Sequence, residues 1–223
     1  MLPVTENDCF EQLRHDPNVS ARKLRLLAVG CCRRAWHLFT PISRVAIETS
    51  ERFADGAATQ EQLLTVARYS NHQPQVRYPV FSGDTWQTQA GRIAGLASNW
   101  PMTIDCVQAI MDQLPHAIRS NHLSWESWFG WNRAARAHAR YLQCVFALAP
   151  LGQHDRTTPL PVSATCLDIA NAVYADRAFD RLPILADALE DAGCTAAAVL
   201  DHCRQPGEHV RGCWVVDRVL GKE

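Results

Sequence analysis

The chain has 223 residues, 47% of them hydrophobic and 20% charged. That is enough for one sizeable domain or two small ones, and it excludes wholesale disorder. Basic and acidic residues balance at 22 and 23, so no global field draws the chain to nucleic acid or to an anionic membrane.

No apolar run approaches the ~20 residues that span a bilayer. Met1 to Phe10 has no basic segment leading into an apolar core, so a cytoplasmic address is expected. Nine cysteines in such a chain read as reduced thiols rather than as a disulfide framework.

Nearly every periodic segment predicts helix. Ser20 can cap a helix whose Leu24, Leu27, Ala28, Cys31, Ala35 and Leu38 form one apolar stripe. Pro41 starts a second helix that Gly56 stops, and Thr59 with Gln62 has the spacing of a capping box. Residues 71–84 read as loop and 86–98 as a glycine-interrupted helix. Thr103 caps the next helix, which Pro115 should close.

Ser124 opens the longest expected helix, residues 125–149. Three prolines between 150 and 161 make the clearest boundary in the chain. Beyond it, Ser163 or Thr165 caps a helix to about residue 178, Asp180 caps one with Pro183 in its first turn, and Thr195 caps a short one to Arg204. Residues 209–220 fit a helix with Val210, Cys213, Trp214 and Val216 inward, or a short buried strand at 213–216. The expected fold is mainly α with eight or nine helices: an N-terminal bundle over 1–149, a proline-rich linker at 150–161 and a C-terminal helical unit over 162–223.

Two stretches carry a resemblance. One is Arg22-Lys-Leu-Arg-Leu-Leu-Ala-Val-Gly-Cys-Cys-Arg-Arg-Ala-Trp-His-Leu38 with Glu51 to Gly56. The other is Tyr174 to Cys194, with its Asp-Arg-Ala-Phe-Asp-Arg-Leu-Pro-Ile-Leu-Ala-Asp run, followed by His202-Cys-Arg204 and His209-Val-Arg-Gly-Cys-Trp-Val-Val-Asp217. Together they resemble a family of paralogous, planctomycete-type bacterial proteins. The resemblance implies no activity, cofactor or catalytic residue. Ala149-Pro-Leu-Gly-Gln153 departs from the Gly-Asn-Pro-Phe-like turn that members carry after the long helix.

The sharpest chemical candidate is the C-terminal Cys/His set. On a helix, His209 and Cys213 would leave the same face one turn apart, a geometry that ligands of a tetrahedral zinc use. Cys203 is the expected third ligand and Cys194 or His202 the fourth. Against this stands simple packing, because free Cys is commonly a small buried hydrophobe.

Other readings are weaker. Cys31-Cys32 could serve metal or redox chemistry, but adjacent helical residues diverge by ~100°. Cys203 with His202 and His209, oriented by Asp201 or Glu208, has the composition of a nucleophile arrangement. Arg22, Lys23, Arg25, Arg33 and Arg34, beside Trp36 and His37, form either a phosphate-contacting face or a solvated one paired with acidic neighbours. Trp125, Trp128 and Trp131 pack the core or line an aromatic groove. Asp176, Arg177, Asp180 and Arg181 read as caps and i, i+4 pairs.

No GxGxxG, P-loop, HExxH or GxSxG pattern occurs. The first expectation is therefore a non-enzymatic helical scaffold or adaptor that binds another protein and needs no cofactor. A small zinc-binding domain is the alternative, and an enzyme of unidentified type comes third.

Overall fold

The computed structural model describes residues 6–16, 19–71, 86–121, 137–149, 152–153 and 159–222. The protein is mainly α. Its helices are α1 (Glu6–Arg14), α2 (Ala21–Arg34), α3 (Pro41–Ala54), α4 (Gln60–Asn71), α5 (Trp86–Ala97), α6 (Ile104–Asn121), α7 (described over 137–146), α8 (Ala164–Asp176), α9 (Leu182–Asp191), α10 (Ala197–Arg204) and α11 (Trp214–Leu220). Single 3-10 turns stand at Trp36–Leu38 and Phe179–Arg181. Leu148–Ala149, in the last turn of the expected 125–149 helix, is instead a two-residue strand paired antiparallel with Gly152–Gln153 of the expected linker.

Several starts follow from local chemistry. Ser20 Oγ accepts from Lys23 N, Thr40 Oγ1 from Ser43 N, and Ser163 Oγ from Cys166 N. Thr59 and Gln62 bond reciprocally at 2.9 and 3.2 Å, a complete capping box.

Other expectations fail for identifiable reasons. Helix α6 runs through Pro115 instead of ending there. An interior proline costs about 3 kcal/mol, and the buried face of Val107, Ile110, Met111, Leu114 and Ala117 outweighs it. Asp180 lies in a 3-10 turn and caps nothing, while α9 starts after Arg181. Ala196, not Thr195, occupies the N-cap of α10. Helix α1, which buries Cys9, Phe10 and Leu13, was not foreseen. The expected loop at 72–84, the start of the long helix, and Trp125, Trp128 and Trp131 lie outside the described residues.

Among the described residues, two apolar clusters form the interior. The first joins α1, α2, α5 and α6 through Phe10, Leu13, Leu24, Leu27, Ile93 and Ile110. The second joins α8, α9, α10 and α11 through Val173, Leu185, Leu189, Val199 and Val216. Helix α7 belongs to both: Tyr141, Leu142, Val145 and Phe146 enter the first cluster, and Cys144 the second, followed there by Ala147.

Charges stitch the two clusters together. Arg22 of α2 forms a two-point bond with Asp217 of α11 at 2.7 and 3.3 Å, and also reaches Tyr174 and Asp55. Burial keeps the Asp217 carboxyl above its ordinary range even against that guanidinium. Glu51 of α3 receives Arg33 at 2.5 Å and also Arg177.

Arg177, expected among the caps and i, i+4 pairs of Asp176, Arg177, Asp180 and Arg181, is thus spent on Glu51. Arg177 ends α8 at φ +53° and turns to Glu51. The basic face of α2 is not solvated either. Arg25 is 1% exposed, bonded to Ser50 Oγ and to the carbonyls of Ala97 and Asn99, and burial pushes its guanidinium down to about 10.

Candidate metal centre

Four side chains from three parts of the chain converge at the edge of the second cluster. Helix α7 delivers Cys144 and α10 delivers His202. The segment after Arg204 then crosses back over α2 and carries His209 and Cys213.

That crossing is fixed at several points. Glu208 accepts from Tyr141 Oη at 2.6 Å and from Arg34. Val210 packs into the first cluster directly over Gly30, where an added Cβ would meet Val210 Cγ1 at 2.8 Å. Gly212 adopts φ +89°, a conformation that L side chains rarely take, and Cys213 N donates to Val210 O at 3.0 Å. Cys213 then occupies the N-cap of α11.

His209 and Cys213 thus meet across a tight turn, not along a helix, since α11 starts only at Trp214. The expected strand at 213–216 is helix for the same reason.

One ligand atom from each of Cys144, His202, His209 and Cys213 lies within 4.8 Å of every other. His202 Nε2 is 3.3 Å from Cys213 Sγ, and His209 Nδ1 is 3.4 Å from Cys144 Sγ. A tetrahedral zinc with Zn–S of about 2.3 Å and Zn–N of about 2.0 Å separates its ligand atoms by roughly 3.3–3.8 Å. Both measured edges fall in that range, so this Cys2His2 group can hold a metal ion.

The two imidazoles meet edge to face with centroids 4.9 Å apart, and Trp214 packs against His202 at 5.3 Å. Both thiols are buried, at 2% and 0% exposure, while both histidines are half-buried.

The thiols titrate in opposite directions. Burial would raise Cys213, but a hydrogen bond from Cys144, the charge of His202 and hydrogen bonds from both imidazoles outweigh it and hold Cys213 well below the ordinary thiol range. Cys144 is pushed well above that range by burial and by its bond to Cys213. The quartet therefore already stabilises one thiolate, the ligating form of cysteine.

Of the five residues expected from the sequence, His202, His209 and Cys213 come together. Cys203 and Cys194 do not join them: they pack in the second cluster at 1% and 3% exposure. Burial, then the neighbouring Cys213 and Cys194, raises the Cys203 thiol. It is thus a protonated core residue rather than the third ligand or a nucleophile. Glu208 is taken up by Arg34 and Tyr141, and does not orient an imidazole. Cys31 and Cys32 are both fully buried in the first cluster, and burial pushes Cys32 up to about 12.

The fourth member, Cys144, was missed. Its only sequence signal is a lone Cys near the end of the long helix, more than fifty residues before His202, a separation that spacing rules do not reach. No protein-family model, curated protein or solved structure matches this chain.

Proposed function

We propose that this protein is a helical scaffold whose C-terminal unit is locked to α7 by one structural zinc ion bound to Cys144, His202, His209 and Cys213. The observation that carries the reading is the convergence of two sulfur and two nitrogen ligand atoms within 4.8 Å of one another. Mixed S2N2 ligands in tetrahedral reach suit zinc among the common divalent ions.

The structural role follows from the count. Four protein ligands close the coordination sphere, whereas a catalytic zinc keeps one position for water or substrate. A nucleophilic role for the Cys213 thiolate is disfavoured by its complete burial, which leaves a substrate no approach. The ligands also span both halves of the molecule, so the ion fastens α7, α10 and the turn before α11 together. This keeps the scaffold expectation, joins it to the zinc alternative, and replaces Cys203 and Cys194 by Cys144.

Elemental analysis of untagged protein tests it. The expected result is about one zinc per chain, retained through dialysis, since structural sites bind with ~10 kcal/mol or more. Cys144→Ala should lose the metal and Cys203→Ala should keep it. Less than about one zinc per ten wild-type chains would leave only the packing reading, because a site of that strength does not empty on purification.

A further inference from the structure

Beside the metal centre lies a second feature with different chemistry. A cavity of about 270 Å³ opens between α2, the turn that follows α8 and the 209–211 segment. Among the described residues, Arg33, Arg34, Arg177 and Arg211 all line it, against a single lining carboxylate, Glu51.

Neighbouring acids do not cancel this excess. Glu208 pairs with Arg34, and Asp55 stands 3.9 Å from Arg211. Four guanidiniums against these three carboxylates still leave one positive charge over. Glu51 is almost fully shared already: Arg33 at 2.5 Å, Arg177, and Arg211 at 3.7 Å converge on it.

The lining also includes the apolar side chains of Leu26, Val29 and Phe179. Guanidinium forks match carboxylate and phosphate oxygens in a planar, two-point geometry.

We propose that this cavity binds a small oxyanion, a carboxylate or phosphate monoester, carried on a compact apolar group. The oxyanion lies among the four guanidiniums, and the apolar group rests on Leu26, Val29 and Phe179. At about 270 Å³ the cavity suits a ligand the size of one substituted ring. The proposal stands on the arginines, while His209, a ligand of the proposed metal centre, borders the same cavity.

Titration calorimetry with phenyl phosphate, benzoate, inorganic phosphate and benzyl alcohol tests it, in chloride buffer on untagged protein of measured zinc content. At least one aromatic anion should bind saturably, and benzyl alcohol should not. Which anion binds tells a phosphate site from a carboxylate site. Inorganic phosphate should bind about ten-fold more weakly than phenyl phosphate if the apolar lining contributes.

Arg33→Gln should weaken binding about ten-fold, the loss of one of the four guanidinium charges around the cavity. Arg177→Gln serves as the second variant should the first fail to fold, and Arg204→Gln, whose side chain pairs elsewhere with Asp187 and Glu190, should change nothing. Absence of binding by either aromatic anion at millimolar concentration, or equal binding by folded Arg33→Gln and Arg177→Gln proteins, overturns the proposal. Zinc-loaded protein that binds no anion defeats the cavity alone, and zinc-free protein that binds one defeats the metal centre alone.

Discussion

Cys32 and Cys213 are equally buried, yet they are chemically opposite. Cys32 sits among aliphatic side chains of the first cluster, and burial alone drives its thiol up to about 12. Cys213, in the second cluster, faces another thiol and two imidazoles and is pulled well below the ordinary range. Burial therefore does not decide what a cysteine does; the polar atoms buried with it do. The two clusters differ in the same way. The first closes over apolar side chains, together with a buried Arg25 satisfied by carbonyls, whereas the second keeps four metal-competent groups at its edge.

The largest test of that contrast removes a ligand. Cys213→Ser or metal chelation should release the zinc and loosen residues 197–222 before residues 21–54. The loss should be several kcal/mol, a large part of the ~10 kcal/mol of a structural site. Hydrogen exchange of the two regions, followed in parallel, reads the difference, and uniform loosening would mean that the clusters are not separable.

Next comes the seam between them. Arg22→Met leaves the Asp217 carboxylate buried at 1% side-chain exposure without its guanidinium, which should cost about 3–5 kcal/mol in chemical denaturation. Gly30→Ala drives a Cβ into Val210 at 2.8 Å and should cost about 1–3 kcal/mol by overpacking. Its zinc affinity should fall too, because Val210 lies between two ligands.

A smaller effect concerns acid. Burial would raise the Glu51 carboxyl, but Arg177 and Arg33 together hold it below its ordinary 4.5. A carboxyl lowered on folding stabilises above that value, and the contribution disappears as pH falls through the lowered value. Glu51→Gln should therefore cost about 1–2 kcal/mol at pH 7, with arginines that reach water softening the loss. It should also flatten the acid limb of the stability curve below about pH 4.5. Smallest of all, Thr59→Ala removes one half of an exposed capping box in the N-terminal bundle. It should cost about 0.5–1 kcal/mol and leave zinc content untouched.

Local rules made much of the helical order legible. Ser20, Thr40 with Pro41, Thr59 with Gln62, and Ser163 act within three residues of themselves, so their effect is written in adjacent letters. Pro115 and Asp180 misled because packing at a distance decided the outcome: a buried face carried α6 past its proline, and a 3-10 turn took the residue expected to cap α9. The site was half legible for the same reason. His202, His209 and Cys213 lie within a dozen residues, whereas Cys144 enters through the tertiary placement of α7. The turn at Gly212, rather than helical periodicity, brings His209 to Cys213, and the two buried neighbours Cys194 and Cys203 compete for attention in the sequence without reaching the quartet.

Because α7 contributes to both interiors, the place of Cys144 in the proposed metal centre bears on how the molecule can be divided. A cut anywhere between residues 149 and 159 leaves Cys144 on one polypeptide and His202, His209 and Cys213 on the other. The ion would then be a bond between two chains. Such halves should reassociate in the presence of zinc and come apart on chelation, a metal-gated split protein with the Arg22–Asp217 and Glu51 contacts setting the register of the rejoined pieces.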